Sequence, residues 1–519
     1  MLPPPATRFK DSKTRNYGKS SSPIRGYGPA DRAALSCTYS PTGPRADTGS
    51  TPGSPLSYCF GAANGLDRRY ARSSGIGSDG SLRITRMCSG RPWPDRYWFS
   101  NSLDRRYARG PHTGYVVTSH LCCTDTQSYR QGNATRMPNG DDWLTMKLTH
   151  FDQLAPVCPL CRGSGRGEPR LKIARKVEQS GNDLIAGILQ CSDAQCQMEY
   201  PIIDGIPIIH SNVRGQIETN LLHFVVRDDL PVELESLVSD AVGPGSAFDS
   251  MKQALSTYAW DHYGDLNPGL TAQEDMVGTD VLSDKAGHRP GSALRCLQKG
   301  FELMGATPSG IALDLGCAVG RTSFAIAEHT KDLVLGVDLN FSMLRVASRA
   351  LREGQVVYPE RRVGVVYERR EFPVEFSCAD SVDFWCCDAL CLPFSSETFG
   401  FISALNVLDC ISAPLVLLQV IEKILIQGGS VVTCSPYDWS PAATPVEGWL
   451  GGHSQRGENK GDSASIVQAL LTPGALPVSL RELEIVGASA QVPWVTRVHE
   501  RSTVAYQTHL VVARRNSAS

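Results

Sequence analysis

The first 145 residues of this 519-residue chain contain no glutamate. They carry 20 lysines and arginines against 10 aspartates, whereas the remaining 374 residues carry 31 against 43. The same stretch is rich in Arg, Ser, Gly and Pro and has few apolar runs long enough for a strand or a helix. Because such a composition buries too little apolar surface to offset the entropy of ordering, we predict a disordered, basic extension over 1–145.

The extension also lacks the features of repeat arrays and targeting segments. Its repeated heptapeptide, LDRRYAR, occurs only at 66–72 and 103–109, which is too few copies for an array. Prolines at 3–5 and ten aspartates disfavour an organelle transit peptide, although targeting by this segment stays an open alternative. Ordinary globular composition begins at Met146, so we interpret 1–145 as a solvated tail that need not belong to the native protein.

The chain lacks any uninterrupted apolar run approaching about 18 residues, so the sequence predicts no membrane-spanning helix. No secretory signal peptide accompanies the 17 cysteines, and we expect a reducing, cytoplasmic setting in which cysteines are free or bind metal. After residue 145 the balance is acidic and basic patches are missing, which argues against a nucleic-acid partner. We therefore expect the partner to be a small molecule rather than a membrane or a nucleic acid.

Four cysteines form two pairs with spacing suited to a metal. Cys158 and Cys161 enclose Pro-Leu, and Cys191 and Cys196 follow after 29 intervening residues. Four thiolates satisfy a tetrahedral zinc ion and leave no open position for chemistry, so we predict a structural zinc site. A redox role for the Cys-x-x-Cys pair is the weaker alternative, because no βαβ pattern surrounds it.

The segment YPIIDGIPII at 200–209 places Asp204-Gly205 between two apolar runs, which predicts a β-hairpin. Pro207 predicts an edge strand or a strand start. Together with the cysteine pairs, this segment resembles the zinc-ribbon-like domain of bacterial proteins related to the activator subunit of tRNA and protein methyltransferases. The resemblance covers about 55 residues. It implies a small β-rich module, which we place at 151–212.

The following segment, 213–306, predicts helices with a Gly-Pro-Gly break at 243–245. Its aromatic stretch YAWDHYGD, at 258–265, is a candidate for lying over a ligand, with Tyr263 as a substrate-side residue. The alternative is that these aromatic side chains pack a helix onto a sheet.

From Gly310 onward, apolar strands alternate with helices, which is typical of a doubly wound α/β fold with a mostly parallel, Rossmann-like sheet. Ligands in such folds bind beyond the carboxyl ends of the strands. The predicted strands are IALDLG, LVLGVD, VDFWCC, FGFISALNV and SVVTCSP, each followed by a loop at that edge.

The turn DLGCAVGR, at 314–321, lacks both the G-x-G-x-x-G spacing of dinucleotide sites and the Gly-Lys-Ser/Thr of phosphate loops. The pattern that remains is that of class I S-adenosylmethionine methyltransferases. Asp338 lies 24 residues after Asp314 at the end of the second strand, where it can accept ribose hydroxyl groups. Asp388-Ala389 after the third strand suits the adenine edge. The alternative for Asp338 and Asp388 is a helix cap.

Five further motifs sharpen the resemblance: LDLGCAVGR, ALNVLD, SPYDW, TPVEGWLGG and HERSTVAYQTHLVVARR. Together they are similar to the C-terminal mercaptohistidine N-methyltransferase domain of ovothiol-biosynthesis enzymes, over about 250 residues from Tyr258 to near Arg515. We place this domain at 307–515. The resemblance implies a cofactor site formed by Asp314, Gly316, Cys317, Gly320, Asp338, Leu339, Asp388, Ala389 and Asn406. It implies a substrate side with Tyr437, Asp438, Trp439 and Trp449.

The chain departs from that family because the sulfoxide-synthase domain is absent and the cysteine module stands in its place. Tyr437 and Asp438 are the candidates for a catalytic base, although an imidazole with a free lone pair needs none, and Asp438 equally suits a turn. We expect a ring nitrogen of a histidine-derived imidazole, with or without a thiol, to be methylated. The alternatives are an RNA or protein methyltransferase that uses the cysteine module as a platform, and a non-catalytic cofactor-binding protein.

Overall fold

The computed structural model describes residues 146–227, 230–269, 289–457 and 459–516. The predicted disorder of the basic extension lies outside the described residues. Within them, no helix is both long enough and apolar enough to cross a bilayer.

The strands are β1 Met146–Lys147, β2 Leu171–Ser180, β3 Asp183–Cys191, β4 Glu199–Ile203, β5 Ile206–Ile209, β6 Ala312–Leu315, β7 Val334–Asp338, β8 Gln355–Val363, β9 Val366–Pro373, β10 Val382–Cys387, β11 Phe399–Leu405, β12 Leu425–Ser435, β13 Leu483–His499 and β14 Ser502–Arg515. The helices are α1 Leu148–Leu154, α2 Pro159–Gly163, α3 Val213–Thr219, α4 Leu221–Val225, α5 Val232–Val242, α6 Ala247–Tyr263, α7 Ser292–Met304, α8 Arg321–Thr330, α9 Phe341–Glu353, α10 Pro414–Ile424 and α11 Ser463–Leu470.

The central sheet has the order β10-β7-β6-β11-β12-β14-β13. Its first five strands pair in parallel, and β14 and β13 add on in antiparallel orientation. Strands β6, β10 and β11 are buried along their whole length, as expected for near-continuous apolar runs covered by helices on both faces. This arrangement confirms the predicted class I methyltransferase fold with a mostly parallel, doubly wound sheet.

The amino-terminal strands continue this sheet instead of forming a separate one. Strand β5 pairs in parallel with β10, through Ile208 opposite Cys386 and Ile209 opposite Cys387. On its other side β5 pairs with β4, which leads on to β3 and β1. The small module therefore covers an edge of the central sheet that would otherwise be open to pairing with other chains.

The predicted hairpin at Asp204-Gly205 is confirmed. Both residues have positive φ, 53° and 73°, and Ile203 pairs with Ile206 across the two-residue turn. Of the two placements predicted for Pro207, the strand start agrees with the structure, since Pro207 is the second residue of β5; the edge strand does not, because β5 has a neighbour on each side. Pairing with β10 begins only one residue later, at Ile208, so the missing N–H of the proline leaves no gap in the ladder.

The module and the central sheet also share side-chain contacts. Lys147 Nζ donates to the carbonyl oxygen of Ala379 at 3.3 Å, and His150 Nδ1 lies 2.6 Å from Asp383 Oδ2. Phe151 of α1 belongs to the same apolar core as Trp385 of β10. The two parts of the chain are therefore joined by a continuous core as well as by a strand pair.

A two-stranded hairpin, β8–β9, lies between α9 and β10 and was not predicted. Its Glu360 is 1% exposed and is bound by Arg370 of the same hairpin and by Arg497 of β13, the latter at 2.5 Å. A buried carboxylate requires such partners, and these two fasten the hairpin to the carboxyl-terminal strands.

Candidate active site

A cavity of about 310 Å³ lies at the carboxyl ends of β6, β7, β10 and β11. This is the edge at which ligands bind in doubly wound sheets. Seven of the nine residues that the sequence suggested for a cofactor site line the cavity: Asp314, Gly316, Asp338, Leu339, Asp388, Ala389 and Asn406.

Asp314 organises the turn after β6. Its carboxylate accepts hydrogen bonds from Thr322 at 2.6 Å, from Ser323 at 2.7 Å and from Ser403 at 2.5 Å. Burial raises the pKa of this carboxyl, and the three hydroxyl groups oppose the shift by stabilising the charge. Asp314 therefore ties β6 to the start of α8 and to β11.

The glycines of the turn have different functions. At Gly316, with φ 69°, a Cβ atom would come within 2.5 Å of Val407 Cγ2, so a side chain there would crowd the wall of the cavity. At Gly320, with φ 88°, it would meet Ala347 and Phe384 at 2.6 Å, inside the core. Gly320 and the buried Cys317 lie outside the described lining of the cavity, and they serve helix–sheet packing.

Asp338 lies at the edge of the cavity and accepts two backbone hydrogen bonds, while the cap of α9 is Asn340. Its Oδ2 accepts a hydrogen bond from the Ala318 amide at 3.0 Å, and its Oδ1 accepts one from the Asn340 amide at 2.8 Å. Asp338 thus joins the glycine turn to the start of α9 and also lines the cavity. Burial raises the pKa of its carboxyl, and the backbone amides oppose that shift.

Asp388 follows β10 and is held from two sides. Its Oδ1 accepts a hydrogen bond from the Leu390 amide at 2.9 Å. Its Oδ2 lies 3.6 Å from Nε2 of His210, the residue that follows β5. A carboxylate oxygen has more than one acceptor site, so Asp388 retains capacity for a ligand at the cavity wall.

The side chain of Asn406 indicates that the cavity suits a polar ligand. It has a positive φ of 57° and lines the cavity, and its side-chain Oδ1 is buried without a hydrogen-bond partner among the described residues. Burying such an acceptor costs about 1–3 kcal/mol unless a donor satisfies it. A ligand ammonium or N–H group bound in the cavity would supply that donor.

Six lining residues come from outside the parallel strands, and of these only Tyr258 and His262 lie in the stretch YAWDHYGD that was a candidate for lying over a ligand: Asn220, His223, Tyr258, His262, Ala293 and Trp494. Tyr258 and His262 of α6 are four residues apart and therefore share a helix face. That spacing in YAWDHYGD was the available signal, and it favours these two residues over Tyr263. Tyr263 is buried and donates to the Val319 carbonyl at 2.7 Å, so its predicted place beside the substrate is wrong and it packs α6 against the glycine turn.

His262 is held in one tautomer. Its Nδ1 accepts a hydrogen bond from the Arg321 amide at 3.3 Å, which leaves the ring proton on Nε2. Burial and the neighbouring Arg321 lower the pKa of His262 to about 3. The imidazole therefore stays neutral at physiological pH and can act as a hydrogen-bond donor from Nε2.

The predicted catalytic and substrate-side residues after β12 lie outside the described lining of the cavity. The Tyr437 hydroxyl is 2.8 Å from His509 Nδ1, and Asp438 Oδ2 accepts from the Tyr506 hydroxyl at 3.1 Å. Both groups are therefore engaged with the carboxyl-terminal strand, away from the lining.

The two tryptophans form a stack behind the site. The ring of Trp439 stacks on Trp449, with centroids 6.1 Å apart. Trp449 Nε1 donates to the Thr444 carbonyl at 2.8 Å, and the Thr444 hydroxyl donates to the carbonyl of Ile411 at 2.7 Å. Because Ile411 lines the cavity, the tryptophans support its wall rather than form it.

The four predicted metal ligands lie together in the small module. The sulfur atoms of Cys158, Cys161, Cys191 and Cys196 all lie within 4.8 Å of one another. Cys158 is 3.9 Å from Cys196, and Cys161 is 3.8 Å from Cys191. A Zn–S bond of about 2.3 Å places the corners of a tetrahedron about 3.8 Å apart, so this donor set could hold a zinc ion.

Residues 313–433, which contain the glycine turn and all or most of the five parallel strands β6, β7, β10, β11 and β12, match the family model described as a methyltransferase domain. This part of the chain is a methyltransferase domain. The same match supports S-adenosylmethionine as the methyl donor. No curated protein matches the methyltransferase.

Among solved structures, the chain is similar to the N-methyltransferase NodS from Bradyrhizobium japonicum WM9, with 14% identity over 46% of this chain and 100% of that chain, at a TM-score of 0.28. It is also similar to phosphoethanolamine N-methyltransferase 2 from Haemonchus contortus, with 21% identity over 36% and 35%, at a TM-score of 0.23. The [4+2]-cyclase SpnF matches with 15% identity over 44% and 81%, at a TM-score of 0.28.

Proposed function

We propose that the chain transfers a methyl group from S-adenosylmethionine to a ring nitrogen of a small, histidine-derived imidazole. The observation that carries the proposal is the lining of the cavity, to which α4, α6, α7 and β13 contribute as well as the sheet. The cofactor would itself occupy this cavity of about 310 Å³, so the substrate reaches it where these helices and β13 border the cavity. A polymer substrate would need an open groove instead.

The charges of the lining suit this cofactor. Asp314, Asp338 and Asp388 line the cavity, and no lysine or arginine does so among the described residues. S-adenosylmethionine, when bound, supplies an activated methyl group on a positively charged sulfur. Carboxylates around the cavity stabilise a cationic ligand electrostatically.

Individual residues would hold different parts of the cofactor. Asp338 accepts hydrogen bonds from the ribose hydroxyl groups, and Asp388 with the Ala389 amide binds the adenine edge. Asn406 Oδ1 accepts from an ammonium group. Because no cationic side chain among the described lining residues can bind the carboxylate of the cofactor, the Nε2–H of His262 is the donor for it.

The residues of this chain contribute alignment rather than proton transfer. Holding the acceptor nitrogen in line with the methyl carbon can lower the barrier by about 7–11 kcal/mol. His262 does not act as a base, because its Nδ1 lone pair is occupied and its Nε2 carries the proton. Tyr437 and Asp438 lie outside the described lining, so the lone pair of a neutral imidazole substrate attacks without a protein base.

The substrate rests against Tyr258 and Trp494, the aromatic residues of the described lining. Flat apolar walls with a few polar groups suit a small heteroaromatic ring. Trp439 and Trp449 contribute indirectly, through Thr444 and Ile411.

We further propose that Cys158, Cys161, Cys191 and Cys196 bind one structural zinc ion. The sulfur separations of 3.8 and 3.9 Å match a tetrahedral set, and the Asp193 amide donates to Cys191 Sγ at 3.4 Å. An N–H group directed at sulfur stabilises a thiolate ligand. The ion would fix the loops that carry the two cysteine pairs.

A substrate panel tests the proposed function. The full chain is incubated with S-adenosylmethionine and with histidine, thiol-bearing imidazoles, bulk tRNA or unfolded protein, and formation of S-adenosylhomocysteine is measured. We expect turnover on one of the imidazoles and loss of turnover in Asn406→Ala, with wild-type rates in the exposed control Asn459→Ala. Turnover on tRNA or protein with none on any imidazole contradicts the proposal.

A further inference from the structure

The module places one side chain beside the cofactor site, and the strand register explains why. Ile209, the last residue of β5, pairs with Cys387, the last residue of β10. The next residue on each strand, His210 and Asp388, therefore leaves the sheet at the same level. Asp388 lines the cavity, so the module ends where the cofactor site begins.

The His210 ring has a fixed orientation. Its Nδ1 accepts a hydrogen bond from the Asn212 amide at 2.9 Å, which leaves the proton of the neutral ring on Nε2. That Nε2 lies 3.6 Å from Asp388 Oδ2, with both side chains mostly buried. The distance is beyond an ordinary hydrogen bond, so the contact is an electrostatic one that biases the rotation of the carboxylate.

The two contacts of Asp388 act on different oxygen atoms of its carboxylate. The Leu390 amide holds Oδ1 at 2.9 Å, and His210 attracts Oδ2 from the side of the module. A carboxylate hydrogen-bonded at one oxygen and biased electrostatically at the other presents its remaining acceptor sites mainly in one direction. A carboxylate that rotates freely discriminates less well between a donor and an acceptor on a ligand.

We propose that His210 is a positioning residue that orients Asp388 toward the exocyclic amine of adenine, so that the cysteine module takes part in selecting the nucleobase of the cofactor. This inference rests on the proposed contact between Asp388 and adenine. It assigns a specific function to a module that otherwise provides only a strand and a metal site.

Two nucleosides test the inference. They are S-adenosylhomocysteine and S-inosylhomocysteine, and in the second a carbonyl oxygen replaces the exocyclic amine of adenine. Their dissociation constants are measured by calorimetry on the full chain. Wild type should prefer the adenine compound, and Asp388→Asn should lose that preference. His210→Ala should bind the adenine compound more weakly and so reduce the preference by about threefold to tenfold. This is the size expected when the single contact between His210 and the Asp388 carboxylate is lost. His210→Gln, which keeps an N–H donor, should recover part of the preference.

His150→Ala is the matched control, because His150 contacts Asp383 across the same module–sheet boundary but away from the cavity. We expect it to lower the melting temperature and to leave the preference unchanged. Equal weakening of both ligands in His210→Ala, or no change in either, would overturn the inference while the Asp388 assignment stands. A wild-type chain without preference for adenine would overturn both the inference and the Asp388 assignment.

Discussion

Three non-glycine residues with positive φ follow neighbouring strands at the carboxyl edge of the sheet. Ala318 after β6, Asn406 after β11 and Tyr437 after β12 have φ values of 50°, 57° and 57°. Each such conformation costs about 1–2 kcal/mol relative to an ordinary backbone, and such strain clusters at functional sites. None of the three was predicted, although Ala318 stands in a glycine turn, where such a backbone is common; nothing in the letters around Asn406 or Tyr437 signals a left-handed backbone.

Asp338→Ala should abolish binding of S-adenosylmethionine and also destabilise the fold. The sequence left a cofactor contact and a helix cap as alternatives for this carboxylate, and the structure shows it accepting hydrogen bonds from two backbone amides. Leaving those donors without a partner costs about 1–3 kcal/mol. Calorimetric binding and urea unfolding check the two effects. Unchanged stability would contradict the structural part, and retained binding would leave Asp338 with only its two backbone hydrogen bonds.

His262 makes stability depend on pH in a defined window. Its folded-state pKa of about 3 lies below the unfolded value of about 6.5, so the unfolded chain takes up a proton first. The contribution of His262 is therefore complete above pH 6.5 and is lost as pH falls toward 3, at about 1.4 kcal/mol per pH unit. The nearby Asp261, whose pKa is raised to about 6, contributes in the opposite sense.

The comparison of wild type with His262→Gln isolates this contribution. Urea unfolding at pH 7.5 and 5.5 should show the difference between the two proteins shifting by about 1.4 kcal/mol in favour of the variant at the lower pH. A difference that does not depend on pH would mean that His262 titrates normally.

At the scale of elements, the parallel strands and their helices could be predicted because each is a continuous apolar run followed by an amphipathic segment. VDFWCC was placed at the bounds that β10 has. The β8–β9 hairpin was missed because arginines and glutamates interrupt its alternation, and they are stabilised by one another and by Arg497 across the fold. The pairing of β5 with β10 was missed because parallel partners far apart in sequence leave no local signal.

Ile208→Ala tests that strand pairing. Ile208 is fully buried and belongs to a core that includes Phe384 of β10 and Leu344 of α9, so truncation should destabilise the chain by about 2–5 kcal/mol. Because the sheet is continuous, we expect one cooperative transition that moves as a whole. Val177→Ala, at a 61% exposed position on β2, should change stability by about 0.5 kcal/mol or less. Separate transitions for module and domain would contradict a continuous sheet.

The cysteine module should contain one zinc ion per chain. Cys161→Ser removes one thiolate from the buried set and should abolish the metal, with a lower melting temperature. Cys378→Ser, which changes a cysteine outside the cluster, should retain it. Elemental analysis of purified protein decides between these outcomes, and wild-type protein without bound metal contradicts the zinc proposal.

At the scale of the whole molecule, the chain combines a sheet that binds the methyl donor with a module that extends this sheet and a group of helices that close over it. The sequence indicated each of these parts from its own motifs. It did not indicate that they meet at one cavity, because Tyr258, Trp494 and His210 reach the site or its edge from elements far apart in the chain. That convergence is the basis for proposing a small substrate.

The most direct test of this account follows the methyl group itself. The full chain is supplied with S-adenosylmethionine carrying a ¹³C-labelled methyl group, together with histidine-derived imidazoles, tRNA and unfolded protein in one mixture, and the products are examined by NMR. The account predicts a single new methyl signal on an imidazole ring nitrogen, absent with Asn406→Ala. Label recovered only in tRNA or protein would contradict it.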